Sequence, residues 1–127
     1  MNVHFILYVK DQKKSSEFYS AVLKQKPDLD VPGMTEFIMN TGCILGLMPE
    51  KGIKKLLGDT FPDLAKAERI PRAEVYIRVD NPISYYKRAL TLGAQELSPL
   101  KKRDWGDVAA YCFDLDGHIL VFAKKCS

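Results

Sequence analysis

Two alternating stretches carry most of the side chains able to do chemistry. In Val3–Val9, His4, Ile6 and Tyr8 share one face of an extended chain, opposite Phe5, Leu7 and Val9. In Ala73–Val79, Glu74, Tyr76 and Arg78 oppose Val75, Ile77 and Val79. An imidazole and a carboxylate are the groups that hold a divalent ion or pass a proton. An arginine binds a carboxylate or phosphate through two parallel hydrogen bonds. Trp105 follows Lys101-Lys102-Arg103-Asp104 and precedes Gly106. A tryptophan in a polar loop is costly unless it covers a ligand or a chain contact. Each has a plainer reading. His4 and Glu74 form a hydrogen-bonded pair, Arg78 a salt bridge to Glu74 or Glu36, and Tyr8 and Tyr76 part of a core.

Other chemistries lack their signatures. The sequence contains no Gly-rich phosphate loop, no G-x-S-x-G elbow and no H-E-x-x-H pair. Asp114-x-Asp116-Gly117 is not a calcium loop, because its twelfth position is Lys125 where a glutamate is needed. Cys43, Cys112 and Cys126 have no metal-like spacing, and Cys43 and Cys112 lie in apolar runs as small core residues. An odd cysteine count without an export signal reads as reduced thiols in the cytoplasm. The 19 basic and 16 acidic residues leave a charge of +3, too little to point to nucleic acid. No apolar run approaches the roughly 20 residues that span a bilayer. With 46% hydrophobic and 28% charged residues, the 127-residue chain reads as one globular domain rather than a disordered segment.

The elements that must position these residues are legible from period and caps. Val3–Val9 reads as a strand and Asp11 as the N-cap of a helix running to about Lys24, with Phe18, Tyr19, Val22 and Leu23 as its apolar face. Pro27, Pro32 and Gly33 break the chain. Strands follow at about Thr35–Met39 and Cys43–Met48, joined by Asn40-Thr41-Gly42. On the second, Ile44, Gly46 and Met48 oppose Leu45 and Leu47. Residues 50–71 carry Lys51, Lys54, Lys55, Lys66 and Arg69 and read as a connection with short helices at Ile53–Leu57 and Pro62–Glu68. Ala73–Val79 is the next strand. Asn81 caps a helix over residues 82–92, Pro82 takes its first position, and Gly93 its left-handed C′ position. That helix buries Ile83, Tyr86, Ala89 and Leu90. Strands follow at Gln95–Ser98, Val108–Phe113 and Ile119–Ala123, the last two joined by Asp114-Leu115-Asp116-Gly117. Ile119, Val121 and Ala123 oppose Leu120 and Phe122.

The opening pattern therefore returns. His4 aligns with Glu74, and Phe18-Tyr19 with Tyr85-Tyr86, once a short deletion before the second helix is allowed. Each half reads strand, helix, strand, strand, strand, which gives an α+β fold with helices on one face of mixed sheets.

The run from His4 to Asp11, with Ser15, Ser16, Phe18, Tyr19 and Leu23, resembles the opening of the glyoxalase/bleomycin resistance/dioxygenase proteins, the vicinal oxygen chelate superfamily. Phe113-Asp114-Leu115-Asp116-Gly117-His118 is similar to that family's closing D-P-D-G hairpin, with Leu115 in place of proline. The resemblance implies two βαβββ modules forming a curled mixed sheet around a concave pocket: module 1 at about 1–49, a helical linker at about 50–71 and module 2 at about 72–125. It implies a homodimer, and a divalent metal (zinc, nickel or manganese) in catalytic members. The family's four ligand positions fall at His4, Gly46, Glu74 and Val121. His4 and Glu74 carry donors; Gly46 and Val121 carry none. Catalytic divalent sites take about three protein ligands. The expectation is thus a small-molecule binder with an incomplete metal set. Tyr8, Met48, Tyr76, Arg78 and Trp105 would line its pocket around an aromatic or amphiphilic ligand. The alternatives are a metal-dependent glyoxalase-like lyase or isomerase, drawing on Glu36 or Glu50, and a dimeric interaction module without a ligand.

Overall fold

The computed structural model describes residues 1–67 and 69–127. The chain divides into two compact units, Met1–Lys66 and Ala67–Ser127. The first runs β1 (Val3–Val9), α1 (Gln12–Leu23), β2 (Leu29–Val31), β3 (Met34–Asn40), β4 (Cys43–Pro49) and α2 (Glu50–Leu57). Short 3₁₀ turns follow at Gly58–Thr60 and Leu64–Ala67. The second runs β5 (Glu74–Arg78), α3 (Pro82–Thr91), β6 (Gln95–Lys102), β7 (Asp107–Phe113) and β8 (Ile119–Lys125). Each unit is a four-stranded mixed sheet, ordered β1-β4-β3-β2 and β5-β8-β7-β6. In each, the first strand pairs parallel with the last and the remaining neighbours pair antiparallel. This is the repeated βαβββ topology that the sequence implies.

The helix starts are set by caps. The Asp11 carboxylate accepts the Lys14 N–H at 3.0 Å, and Asn81 does the same for Ser84 at 3.4 Å, with Pro82 in the first turn. In the first unit, Phe18, Tyr19 and Val22 of α1 are buried, as are Phe37, Leu45 and Leu47 on the strands it meets. In the second, Tyr86 and Ala89 of α3 are buried with Leu120 and Phe122.

Several expectations need correction. β2 has no alternation long enough to see; it is an edge strand held from outside, where Gln12 Nε2 donates to the Val31 carbonyl and to Thr35 Oγ1. Phe5 is 55% exposed rather than covered by a helix, because β1 is the edge strand of its sheet and α1 lies against β3 and β4. Ile83 is also exposed. The packed stripe of α3 runs through Pro82, Tyr86 and Ala89, which turns position 83 away from the sheet. β6 continues through Pro99 to Lys102, since an edge strand with register shifts tolerates proline. The second linker helix, expected at Pro62–Glu68, is a 3₁₀ turn at Leu64–Ala67, and Glu68 lies outside the described residues.

Truncation separates cap from core. Asp11→Ala should cost about 1 kcal/mol and Phe122→Ala about 3–5 kcal/mol. Urea unfolding would report both as lower midpoints with little change in slope.

Candidate functional site

On β5, β7 and β8 the face turned away from α3 is built in rows. The ladders align Glu74, Ile119 and Phe113; then Tyr76, Val121 and Tyr111; then Arg78, Ala123 and Ala109. One step farther, Asp107 stands opposite Lys125. Ala109, Val121 and Ala123 are fully buried, with Tyr76, Tyr111 and Ile119 packed on them. The centre of this face is therefore filled by its own side chains, and its chemistry lies at the Asp107 end.

Asp107 is 1% exposed. Its Oδ2 accepts the Tyr76 hydroxyl at 2.5 Å, Arg78 Nε at 3.1 Å and Arg78 Nη2 at 3.0 Å. The Tyr76 oxygen in turn accepts Trp105 Nε1–H at 3.0 Å. The hydrogen bond from Tyr76, then the Arg78 bond and charge, hold the Asp107 carboxyl below its ordinary value against the opposing effect of burial. Tyr76 shifts the other way: burial and the bond to Asp107 push its phenol pKa above the ordinary value. Burial likewise raises Tyr111, helped by the Glu74 charge.

Trp105 is held at this edge by a tight turn. Arg103 N–H donates to the Asp107 carbonyl at 2.8 Å and Gly106 N–H to the Arg103 carbonyl at 3.3 Å. Gly106 sits at φ +92°, a backbone that favours glycine. The Arg103 side chain braces the hairpin from within. Its Nη2 donates to Ser98 Oγ and to the Pro99 and Ala109 carbonyls, and its guanidinium lies 5.1 Å from the Tyr111 ring centre.

The structure thus brings together Tyr76, Arg78 and Trp105. The partner of Arg78 is Asp107, not Glu74 or Glu36. Strand alternation carried back one residue from Val108 would have placed Asp107 on the Tyr76 face, but a strand begun at Val108 leaves it in the loop. Arg103 had no such signal and reads in sequence as part of a solvated basic run.

Tyr8 and Met48 are cross-strand neighbours in the first unit. Tyr8 packs edge-on against Phe61 at 5.8 Å, and the Met48 methyl reaches toward Gly52 of α2. His4 Nδ1 lies 3.5 Å from Glu36 Oε2. Gly46 shares a row with Ile6 and Glu36. A side chain there would meet Ile6 Cγ1 at 3.2 Å and Met34 Sδ at 3.3 Å. Val121 occupies the matching row of the second unit and is fully buried. These residues do not fit a catalytic divalent ion at the four positions, since two offer no donor atom and neither place is open.

A separate donor group, Asp114, Asp116 and His118, sits at the β7–β8 turn. Asp114 Oδ1 accepts the backbone N–H groups of Asp116 and His118, and Oδ2 lies 2.8 Å from His118 Nδ1. These bonds lock the turn and draw His118 inward, to 28% side-chain exposure. Cys112 is buried, with its thiol pushed up to about 12 by desolvation, which makes it a core residue and not a nucleophile.

A family model described as the Glyoxalase/Bleomycin resistance protein/Dioxygenase superfamily matches residues 3–122. The chain belongs to that superfamily. Solved structures agree on the fold. A glyoxalase-related enzyme from Fulvimarina pelagi is 21% identical, with 98% of this chain and 88% of that one covered and a TM-score of 0.82. A glyoxalase/bleomycin resistance protein/dioxygenase from Nocardioides is 23% identical over 100% and 84%, at 0.74. A family enzyme from Burkholderia phytofirmans is 12% identical over 96% of each chain, at 0.80. No curated protein matches the chain. Within the superfamily fold, this member places a carboxylate–tyrosine–arginine–tryptophan network on its second module.

The network has a pH signature. Because the Asp107 carboxyl is depressed on folding, the stability it contributes is full above its unfolded value, about 4. That stability is lost as pH falls through the folded value. Asp107→Asn should melt lower than the native chain at neutral pH, and the gap should shrink below about pH 4. Thermal melts across the acid range check this.

Proposed function

We propose that this superfamily member binds a small aromatic or amphiphilic molecule at Tyr76, Arg78 and Trp105 of its second unit. One observation carries the reading: Trp105 is 54% exposed while its only hydrogen-bond donor is already committed to Tyr76. An indole oriented by a buried carboxylate, yet with its apolar ring in water, is a stacking platform held ready before a ligand arrives. The Arg78 side chain, 62% exposed beside it, supplies an orienting polar group. Tyr8 and Met48, grouped with Phe61 and α2, we assign to the packing of the first unit.

A glyoxalase-type lyase using zinc, nickel or manganese is the competing reading. Gly46 and Val121 speak against it through their lack of donor atoms. We further read the chain as a single-domain cytoplasmic homodimer. Support comes from the free thiols of Cys43, Cys112 and Cys126 and from the exposed Val3, Phe5 and Ile6 on β1.

Trp105 is the only tryptophan, so its emission reports this site alone. Aromatic ligands should shift or quench it, and Trp105→Ala should weaken their binding roughly tenfold, measured by calorimetry. A panel that leaves both the emission and the melting temperature unmoved would defeat the reading. Loading with each of the three metals should leave well under about one ion per chain by elemental analysis; a stoichiometric ion would favour the lyase.

A further inference from the structure

We infer that the ligand of this face is an aromatic oxyanion, an aryl carboxylate or phosphate, rather than a neutral or cationic aromatic. The inference rests on the small-molecule reading above and follows from which hydrogen-bonding groups remain unspent. The Tyr76 hydroxyl has one proton, and Asp107 takes it; its oxygen accepts from Trp105. Trp105 has one N–H, and Tyr76 takes it. Asp107 Oδ2 is surrounded by three donors and is 1% accessible with the rest of its residue. None of these groups has a proton left to donate to a ligand's polar end.

Arg78 is the exception. Its bonds to Asp107 use Nε and one Nη2 hydrogen. The Nη1 hydrogens and the second Nη2 hydrogen meet no acceptor among the described residues, and the side chain is largely exposed. What remains is a rigid fork of donors with positive charge and no acceptor. Its guanidinium carbon lies 5.8 Å from the Tyr76 ring centre, so an oxyanion held by the fork sits next to an aromatic surface. Lys101, in the row of Arg78, Ala123 and Ala109, and Lys125, opposite Asp107, put further positive charge on this face. Glu74 stands at the other end of β5, about 13 Å away by strand rise. A cationic ligand would meet Arg78 as a like charge. A neutral hydroxyl offers the fork one uncharged acceptor, where a carboxylate or phosphate offers two charged oxygens in matching geometry.

The test uses one carbon skeleton with three polar ends: phenylacetate, phenethyl alcohol and phenethylamine, each titrated into the full chain at neutral pH. Phenyl phosphate, as a fourth probe, distinguishes the two oxyanions. The single tryptophan gives one indole N–H resonance, which reports the network directly. Phenylacetate, phenyl phosphate or both should move that resonance and bind roughly tenfold more tightly than the alcohol, with the amine weakest. In Arg78→Gln, the affinities for phenylacetate and the alcohol should come within about threefold of each other; if that variant does not fold, the comparison on the native chain decides alone. Equal affinities, or a preference for the amine, overturn the inference while leaving the small-molecule reading in place. Failure of every probe to move Trp105 overturns both.

Discussion

A buried carboxylate organises the second unit. Asp107 brings a negative charge to the first position of β7, where water barely reaches it. Such a charge is tolerated only when its lone pairs are answered by hydrogen bonds and opposite charge. Tyr76 and Arg78 answer from β5, a strand that is not its neighbour in the sheet. The bonds span β8 and tie the edge strand β5 to the far hairpin. The orientations of Tyr76, Arg78 and Trp105 all follow from that demand. Ala109 and Ala123 lie between them, and their small side chains let the long ones cross the sheet surface.

The two units show how one topology carries different chemistry. Ile6, Gly46 and Glu36 form a row in the first; Tyr76, Val121 and Tyr111 form its counterpart in the second. The ladders are equivalent, so each position faces the same way in both units. In the first unit the row is thin at its centre, and Ile6 and Met34 close over the glycine. In the second it is a wall of two tyrosines on a valine. Neither row has a metal donor at its fourth-strand position, Gly46 or Val121. The backbone keeps the superfamily's geometry while the side chains have turned that strand to packing.

Most of the fold was legible because its determinants are local. Asp11, Asn81, Pro82 and Gly93 act within one helical turn, and strand alternation is a property of neighbouring residues. The departures arise where distant contacts decide. β2 is stabilised by Gln12, seventeen residues before Leu29, which no local window around Leu29–Val31 contains. Phe5 alternates like a core residue, and only its place at the sheet edge exposes it. The site shows the same division. Tyr76, Arg78 and Trp105 stood out by type and face. Asp107 and Arg103 did not, since an aspartate and an arginine beside a hairpin glycine have the composition of any solvated turn.

That asymmetry bears on what the network does. A salt bridge between two exposed groups contributes little to stability. Here the acceptor is sealed and the donor is largely open. The buried carboxylate fixes the guanidinium by one edge and leaves the other edge facing out. The same bond chain fixes Trp105 through its polar nitrogen and leaves the indole ring exposed. Asp107 therefore both balances the Arg78 charge and holds two side chains still. If these groups receive a ligand as proposed, orienting them before contact removes part of the ordering cost of binding. A surface built only for stability gains nothing from keeping a tryptophan ring in water.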